Sequence, residues 1–198
     1  MTAFELSYDY RCPFAKNIHL HVLSALRAGA DFSVDFVPWT MSQGYRADGA
    51  PDVWDDPAHD PDLLALAASV SVRDQQLDKF LAAHEALFRA RHERAIRLVT
   101  LEEIDTVLTP VGVDVEMLRL DLQSRRPHQV IGENFRRFEQ IEAFCVPTFV
   151  VGDDATFVRY MTPPGDDPKA SISLIESLVT LMTAQSALNE FKHTRLPQ

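Results

Sequence analysis

Two cysteines, seven histidines and an aspartate three residues before the first cysteine are the side chains of this 198-residue chain that invite chemistry. Cys12 stands out by its setting, Asp9-Tyr10-Arg11-Cys12-Pro13-Phe14-Ala15. Proline suits the first helical position, where its missing N–H is no loss, so Pro13 puts Cys12 at the mouth of a helix. There, orphan backbone N–H groups and the helix dipole stabilise an anion. Such a setting lowers a thiol pKa toward neutrality and makes a nucleophile, which points to redox or thiol chemistry. Arg11 either adds positive charge beside the sulfur or faces solvent. Asp9 tunes the thiol or, as strand-end aspartates more often do, makes a local turn hydrogen bond.

Cys145 lies two residues before Pro147. A role as resolving partner of Cys12 needs the two Cα atoms within roughly 7 Å. The reading adopted is a buried small hydrophobe ahead of a strand, the commoner fate of a free cysteine. The histidines do not assemble a metal motif. His84-Glu85 lacks a second histidine at zincin spacing, and His19 and His21 point to different sides of their helix. His84 lies on an apolar face, as a core histidine does, and His92 reads the same way. No metal site is expected.

These residues need elements to hold them. Phe4, Leu6 and Tyr8 alternate as in a strand, and Ile18, Val22 and Ala25-Leu26 recur at helical spacing. Gly29 suits the helix C-terminus. Phe32, Val34 and Phe36 form a second strand ending near Pro38-Trp39, which completes a strand–helix–strand unit with parallel neighbours. The irregular stretch 40–59 contains Tyr45 and Trp54, and a loop of that length in a compact domain reads as a functional lid. Both aromatics look exposed and are candidates to cover a substrate, while Trp39 packs between sheet and helices. Asp52, Asp55, Asp56, Asp60 and Asp62 read as a solvated acidic loop.

From about Asp60 to Phe144 the pattern is helical. Asp60-Pro61 is a start signal, and Leu77, Phe80, Leu81, His84, Leu87 and Phe88 share a face. Thr100 to Glu103 fits a capping box. Asp114 caps a short helix, and Pro127 opens another with Ile131, Phe135, Phe138 and Ile141 on one side. Residues 147–151 are again a strand, Gly152-Asp153-Asp154 is turn chemistry, and Thr156–Tyr160 pairs back as a hairpin. A last amphipathic helix starts at Asp167-Pro168. There is no internal repeat.

Composition narrows the function. With 46% hydrophobic residues and twelve Phe, the chain can bury a sizeable core. A net charge of -10 with no basic block argues against nucleic acid. No stretch approaches the roughly 18 apolar residues of a membrane span. No secretory signal is visible, and two cysteines do not make a disulfide framework, so a cytoplasmic location is expected.

The element order, with Cys12-Pro13 after the first strand and Val146-Pro147-Thr148 entering the third, resembles the thioredoxin fold. The helical insertion resembles the DsbA-like branch of that fold. Asp9-Tyr10-Arg11-Cys12-Pro13 is similar to the branch's Asp-Phe-x-Cys-Pro entrance, and Val146-Pro147-Thr148-Phe149 to its Val-Pro-Thr-Phe segment. The expectation is an α/β fold: a four-stranded mixed sheet from residues 1–59 and 145–198, with 60–144 as an inserted helical domain. The resemblance implies that Pro147 is cis and faces the cysteine, that Val146 and Pro147 pair with an extended substrate, and that Pro13, Phe14 and Ala15 shape the substrate-facing turn.

Where dithiol members carry Cys-x-x-Cys, this chain has Ala15 at the fourth position. A second thiol there resolves the mixed disulfide formed by the first. The resemblance with this departure implies a monothiol oxidoreductase whose nucleophile is Cys12 and whose partner is a small thiol, glutathione or mycothiol. No tightly bound cofactor is expected. Kappa-class glutathione transferases and hydroxychromene carboxylate isomerases, related branches with Ser in place of Cys12, suggest a thiol-dependent isomerase or transferase instead. A non-catalytic binding module is the third alternative. The tail Leu188–Thr194 is similar to those of actinobacterial DsbA-like proteins, which makes mycothiol as plausible as glutathione. A homodimer is compatible with apolar lid residues.

Overall fold

The computed structural model describes residues 1–193 and 195. Thr194, the end of the tail motif, lies outside the described residues. The chain runs β1 (Thr2–Tyr8), α1 (Pro13–Arg27), β2 (Phe32–Pro38), α2 (Asp60–Gln75), α3 (Leu77–Glu93), α4 (Leu101–Leu108), α5 (Val115–Gln123), α6 (Arg126–Gln140), β3 (Thr148–Val151), β4 (Asp154–Phe157) and α7 (Pro168–Ala184).

The four strands form one sheet in the order β2-β1-β3-β4. β1 pairs parallel with β2 across its whole length, Thr2 opposite Phe32 through Tyr8 opposite Pro38. It pairs antiparallel with β3, and β3 with β4. The parallel pair needs a crossover, and α1 supplies it. Gly29, left-handed at φ 82°, ends that helix, and Ala30 N–H reaches back to the Ala25 carbonyl at 3.0 Å. Only a residue without a Cβ takes that backbone at no cost. β4 stops at Phe157 rather than Tyr160 because its partner β3 begins at Thr148, opposite Phe157; just beyond that pair Val158 N–H donates to the Pro147 carbonyl at 3.0 Å.

The helical segment is specified by its caps. Thr100 and Glu103 complete a reciprocal capping box at α4, and the Asp114 and Asp167 side chains accept the first-turn N–H groups of α5 and α7. Leu77 and Leu81 of α3 stay largely in solvent, whereas Phe80, His84, Leu87 and Phe88 are buried. Ile141 falls just past α6 and is exposed. Alternation turns Phe4, Leu6 and Tyr8 to one face of β1 and Glu5 to the other, where Arg137 of α6 pairs with Glu5 at 2.6 Å. One contiguous hydrophobic cluster runs from Phe4 and Leu6 through Leu66 and Phe88 to Phe138 and Phe149.

The 40–59 segment is more structured than its composition suggests. It holds short 3-10 turns at Met41–Tyr45 and Pro57–His59. Some of the acidic residues here are partnered rather than simply solvated, while Asp55 and Asp62 stay exposed. Asp52 accepts from Gln43 Nε2 at 2.6 Å and pairs with Arg136 of α6 at 3.2 Å, and Asp60 pairs with Arg125 at 2.8 Å. Among the described residues no helix is long and apolar enough to cross a membrane.

Candidate active site

β1 delivers Asp9, Tyr10 and Arg11 to the mouth of α1. Cys12 is the N-cap, extended at φ −88° and ψ 118°, and Pro13 follows in the first turn. The Ala15 N–H points at the Cys12 sulfur at 3.5 Å, so the orphan donors do face the thiol. On the other side the Cys12 S–H donates to the Val146 carbonyl at 3.3 Å. The Val146–Pro147 peptide bond is cis, and both residues are buried.

The electrostatics depart from the expectation of a thiol with lowered pKa. Cys12 is buried, and burial pushes its pKa above the ordinary thiol value. The N–H groups of Ala15 and Phe14 oppose that shift, and the Asp9 carboxylate adds to it. The helix mouth has donors for a thiolate, yet the resting site favours the thiol because desolvation outweighs them. Nor does Arg11 lend the sulfur a free charge. Its guanidinium clasps the buried Asp9 carboxylate at 2.6 Å and also donates to Thr40 Oγ1 at 3.1 Å and Ser42 Oγ at 2.9 Å. Asp9 makes the local turn bond as well, accepting from Arg11 N–H at 2.9 Å. Arg11 thus joins the cysteine segment to the base of the 40–45 turn.

Of the expected substrate-facing residues, Pro13 is exposed and Phe14 half-buried, while the Ala15 methyl is fully covered and only its N–H reaches the sulfur. Tyr45 is 81% exposed. Trp54 is a correction: at 1% exposure it is part of the core, packed on Phe135 and against Gly132 of α6. Periodicity assigned it to a loop but carried no information about what covers that loop. Trp39 stacks on the same Phe135 ring at 5.2 Å.

Cys145 is likewise not the buried hydrophobe expected. It is partly exposed, and its S–H donates to the Val146 carbonyl at 3.7 Å, the acceptor that Cys12 also uses. Thr148 Oγ1 donates to the Cys145 carbonyl at 2.7 Å and fixes the backbone there. An aromatic surface adjoins the two thiols. Arg159 lies over the Phe14 ring at 4.9 Å and reaches Phe157 at 5.8 Å; Phe157 packs on Phe144, which is 74% exposed. Sequence reasoning missed Phe144, Phe157 and Arg159. Phe157 and Arg159 sit in the strand-like run after the turn, but no pattern there showed that the hairpin folds back beside Phe14.

His19, His21, His84 and His92 serve the scaffold. His92 Nε2 donates to the Tyr10 carbonyl at 2.8 Å, and His21 bonds Ser171 of α7 at 2.9 Å. Behind the site runs a buried relay. His19 Nε2 meets the Ser7 carbonyl at 3.1 Å, His19 Nδ1 meets His84 Nε2 at 2.8 Å, and His84 Nδ1 meets the Tyr10 hydroxyl at 2.7 Å. Burial holds His19 down at about 3 and His84 well below its ordinary value, so both rings are neutral. Because a carbonyl only accepts, the directions follow: Tyr10 donates to His84, His84 to His19, and His19 to Ser7.

A family model described as a DSBA-like thioredoxin domain matches residues 4–171. Among solved structures, DsbA of Pseudomonas aeruginosa is similar at 18% identity and a TM-score of 0.59, over 93% of this chain and 85% of that one. The oxidoreductase NmDsbA1 of N. meningitidis is similar at 13% identity and a TM-score of 0.60, over 93% and 85%. MdbA of Actinomyces oris, a thiol-disulfide oxidoreductase, is similar at 15% identity and a TM-score of 0.60, over 92% and 80%. No match is found among curated proteins.

Proposed function

Because the chain belongs to the DsbA-like thioredoxin domain family, we propose that it is a thiol–disulfide oxidoreductase with Cys12 as nucleophile and glutathione or mycothiol as its exchange partner. The observation that carries this reading is the placement of the Cys12 sulfur, between the first N–H groups of α1 and the segment entering cis-Pro147. In the reaction the Cys12 thiolate attacks one sulfur of a disulfide RS–SR. The S–S bond breaks, Cys12–S–S–R forms, and RS⁻ leaves to be protonated. A second small thiol then attacks the R-bearing sulfur and returns Cys12. The Ala15 and Phe14 N–H groups hold the thiolate while it exists, Val146 and Pro147 orient an extended substrate, and Pro13, Phe14 and Tyr45 are its exposed or half-exposed neighbours. The reading sets the protein in the cytosol, where both cysteines stay reduced.

One observation favours a second reading. A Cys12 held as a thiol by burial is suited to donate a hydrogen bond to the sulfur of a bound glutathione or mycothiol, as an isomerase or transferase would require. Cys12→Ser separates the two. Under the first reading it abolishes exchange with glutathione disulfide or mycothiol disulfide, followed by mass spectrometry, and undiminished exchange would sink the mechanism. Under the second, thiol-dependent isomerase or transferase turnover survives the substitution.

A further inference from the structure

The two cysteines lie 133 positions apart in sequence, yet their thiols converge on one atom. Cys12 Sγ is 3.3 Å and Cys145 Sγ is 3.7 Å from the same Val146 carbonyl oxygen. Both are free. The place that a resolving cysteine would take in the first turn of α1 is filled by the buried Ala15 methyl, so α1 offers no second thiol. Cys145 comes instead from the opposite wall, on the segment that enters the cis-proline bond, and it is the more exposed of the two. We infer that Cys145 is the resolving cysteine of this protein, taking across the active-site cleft the role that α1 leaves empty.

The inference rests on Cys12 acting as the proposed nucleophile and adds a second step to its cycle. Once Cys12–S–S–R has formed, the Cys145 thiolate attacks Cys12 Sγ. The Cys12–SR bond breaks, RS⁻ departs and takes up the proton that Cys145 gave to water, and a Cys12–Cys145 disulfide closes. The two electrons go to the substrate disulfide, which leaves as two RSH; two further small thiols later reduce the protein and are themselves joined as RS–SR. Closure asks each sulfur to turn from the shared carbonyl toward the other until the S–S distance reaches about 2.05 Å.

Reduced protein and the Cys145→Ser and Cys12→Ser variants are treated with glutathione disulfide, and intact masses and digests are read under non-reducing conditions. Circular dichroism confirms that the variants fold. The expected result is that the unsubstituted protein loses two hydrogens, retains no glutathione, and yields a Cys12 peptide linked to a Cys145 peptide from monomeric material. Cys145→Ser should stop at a stable glutathione adduct on Cys12. A stable Cys12 adduct in the unsubstituted protein, with Cys145 still alkylable, overturns the resolving role and leaves the nucleophile standing. Absence of any adduct or disulfide in both the unsubstituted protein and Cys145→Ser overturns the nucleophile and the resolving role together.

Discussion

At the residue scale, the contest at Cys12 is between donors and dryness. A helix N-terminus stabilises a thiolate, but burial disfavours charge more strongly here. Alkylation of Cys12 by iodoacetamide should therefore still be climbing with pH beyond the ordinary thiol midpoint of ~8.5, the sign opposite to that of an activated thiol. A midpoint below neutrality would overturn this account. Asp9 is the accessible control. Its charge raises the Cys12 pKa, so Asp9→Asn should move the alkylation midpoint downward. The same substitution weakens charge-assisted bonds to Arg11 and should cost about 1.5–3 kcal/mol in denaturant unfolding. The helix-mouth position of Cys12 and the turn hydrogen bond at Asp9 were legible from residue types and spacing; the Asp9–Arg11 ion pair was not. The burial of Cys12 was not, because it depends on the Val146 segment, which lies far away in sequence.

At the element scale, α6 and α3 carry the tests. Gly132 of α6 lies under Trp54: a Cβ there would stand 2.7 Å from the indole. Gly→Ala within a helix normally stabilises by up to about 1 kcal/mol. Here overpacking should reverse the sign and cost about 1–3 kcal/mol, read as a lowered Tm together with a shift in tryptophan emission. The relay between α1 and α3 sets an acid limit. His19 and His84 have folded pKa values below the unfolded 6.5, so the unfolded chain binds more protons below that pH. The stability they confer is complete above about pH 6.5 and falls on acidification below it. His19 contributes a slope of about 1.4 kcal/mol per pH unit between there and its folded value of about 3. Urea unfolding at pH 7, 5.5 and 4.5 checks it, and a flat profile would contradict the neutral relay. Helix starts, the capping box and the strand–helix–strand unit were all readable, because they are local. That His84 is a core residue was readable from its apolar face, but its link to His19 belongs to two helices meeting and leaves no periodic trace.

At the scale of the whole molecule, the thioredoxin-like segments and the helices between them share one hydrophobic cluster, and Arg125, Arg136 and Arg137 tie α6 to Asp60, Asp52 and Glu5. Trp39 and Trp54 both sit on Phe135 of α6, where the loop after β2 meets the inserted helices. Their fluorescence therefore reports that junction, while far-UV circular dichroism is dominated by the helices. The two signals should give coincident denaturation curves, as expected for one cooperative unit. Separated transitions would mean that the inserted helices have independent stability. The fold was legible as a whole because two short motifs flank a long helical block in the right order. Asp52 and Asp60 misled as parts of a solvated loop because sequence shows charge without its partners.

The Val146 carbonyl has a consequence for timing. While it accepts the Cys12 thiol hydrogen, it favours the protonated form of that cysteine. If an extended chain pairs with this segment as proposed, its N–H takes the same oxygen and displaces the Cys12 thiol hydrogen from its resting acceptor. The N–H donors of Ala15 and Phe14 stay beside Cys12, and those favour the anion against the burial and the Asp9 charge that oppose it. Under the proposed function reactivity is then conditional on occupancy: the thiol is quiet toward passing electrophiles and gains reactivity when a chain lies along the segment entering Pro147. A cysteine-free peptide that binds there should speed alkylation of Cys12 by a small reagent, whereas simple shielding would slow it.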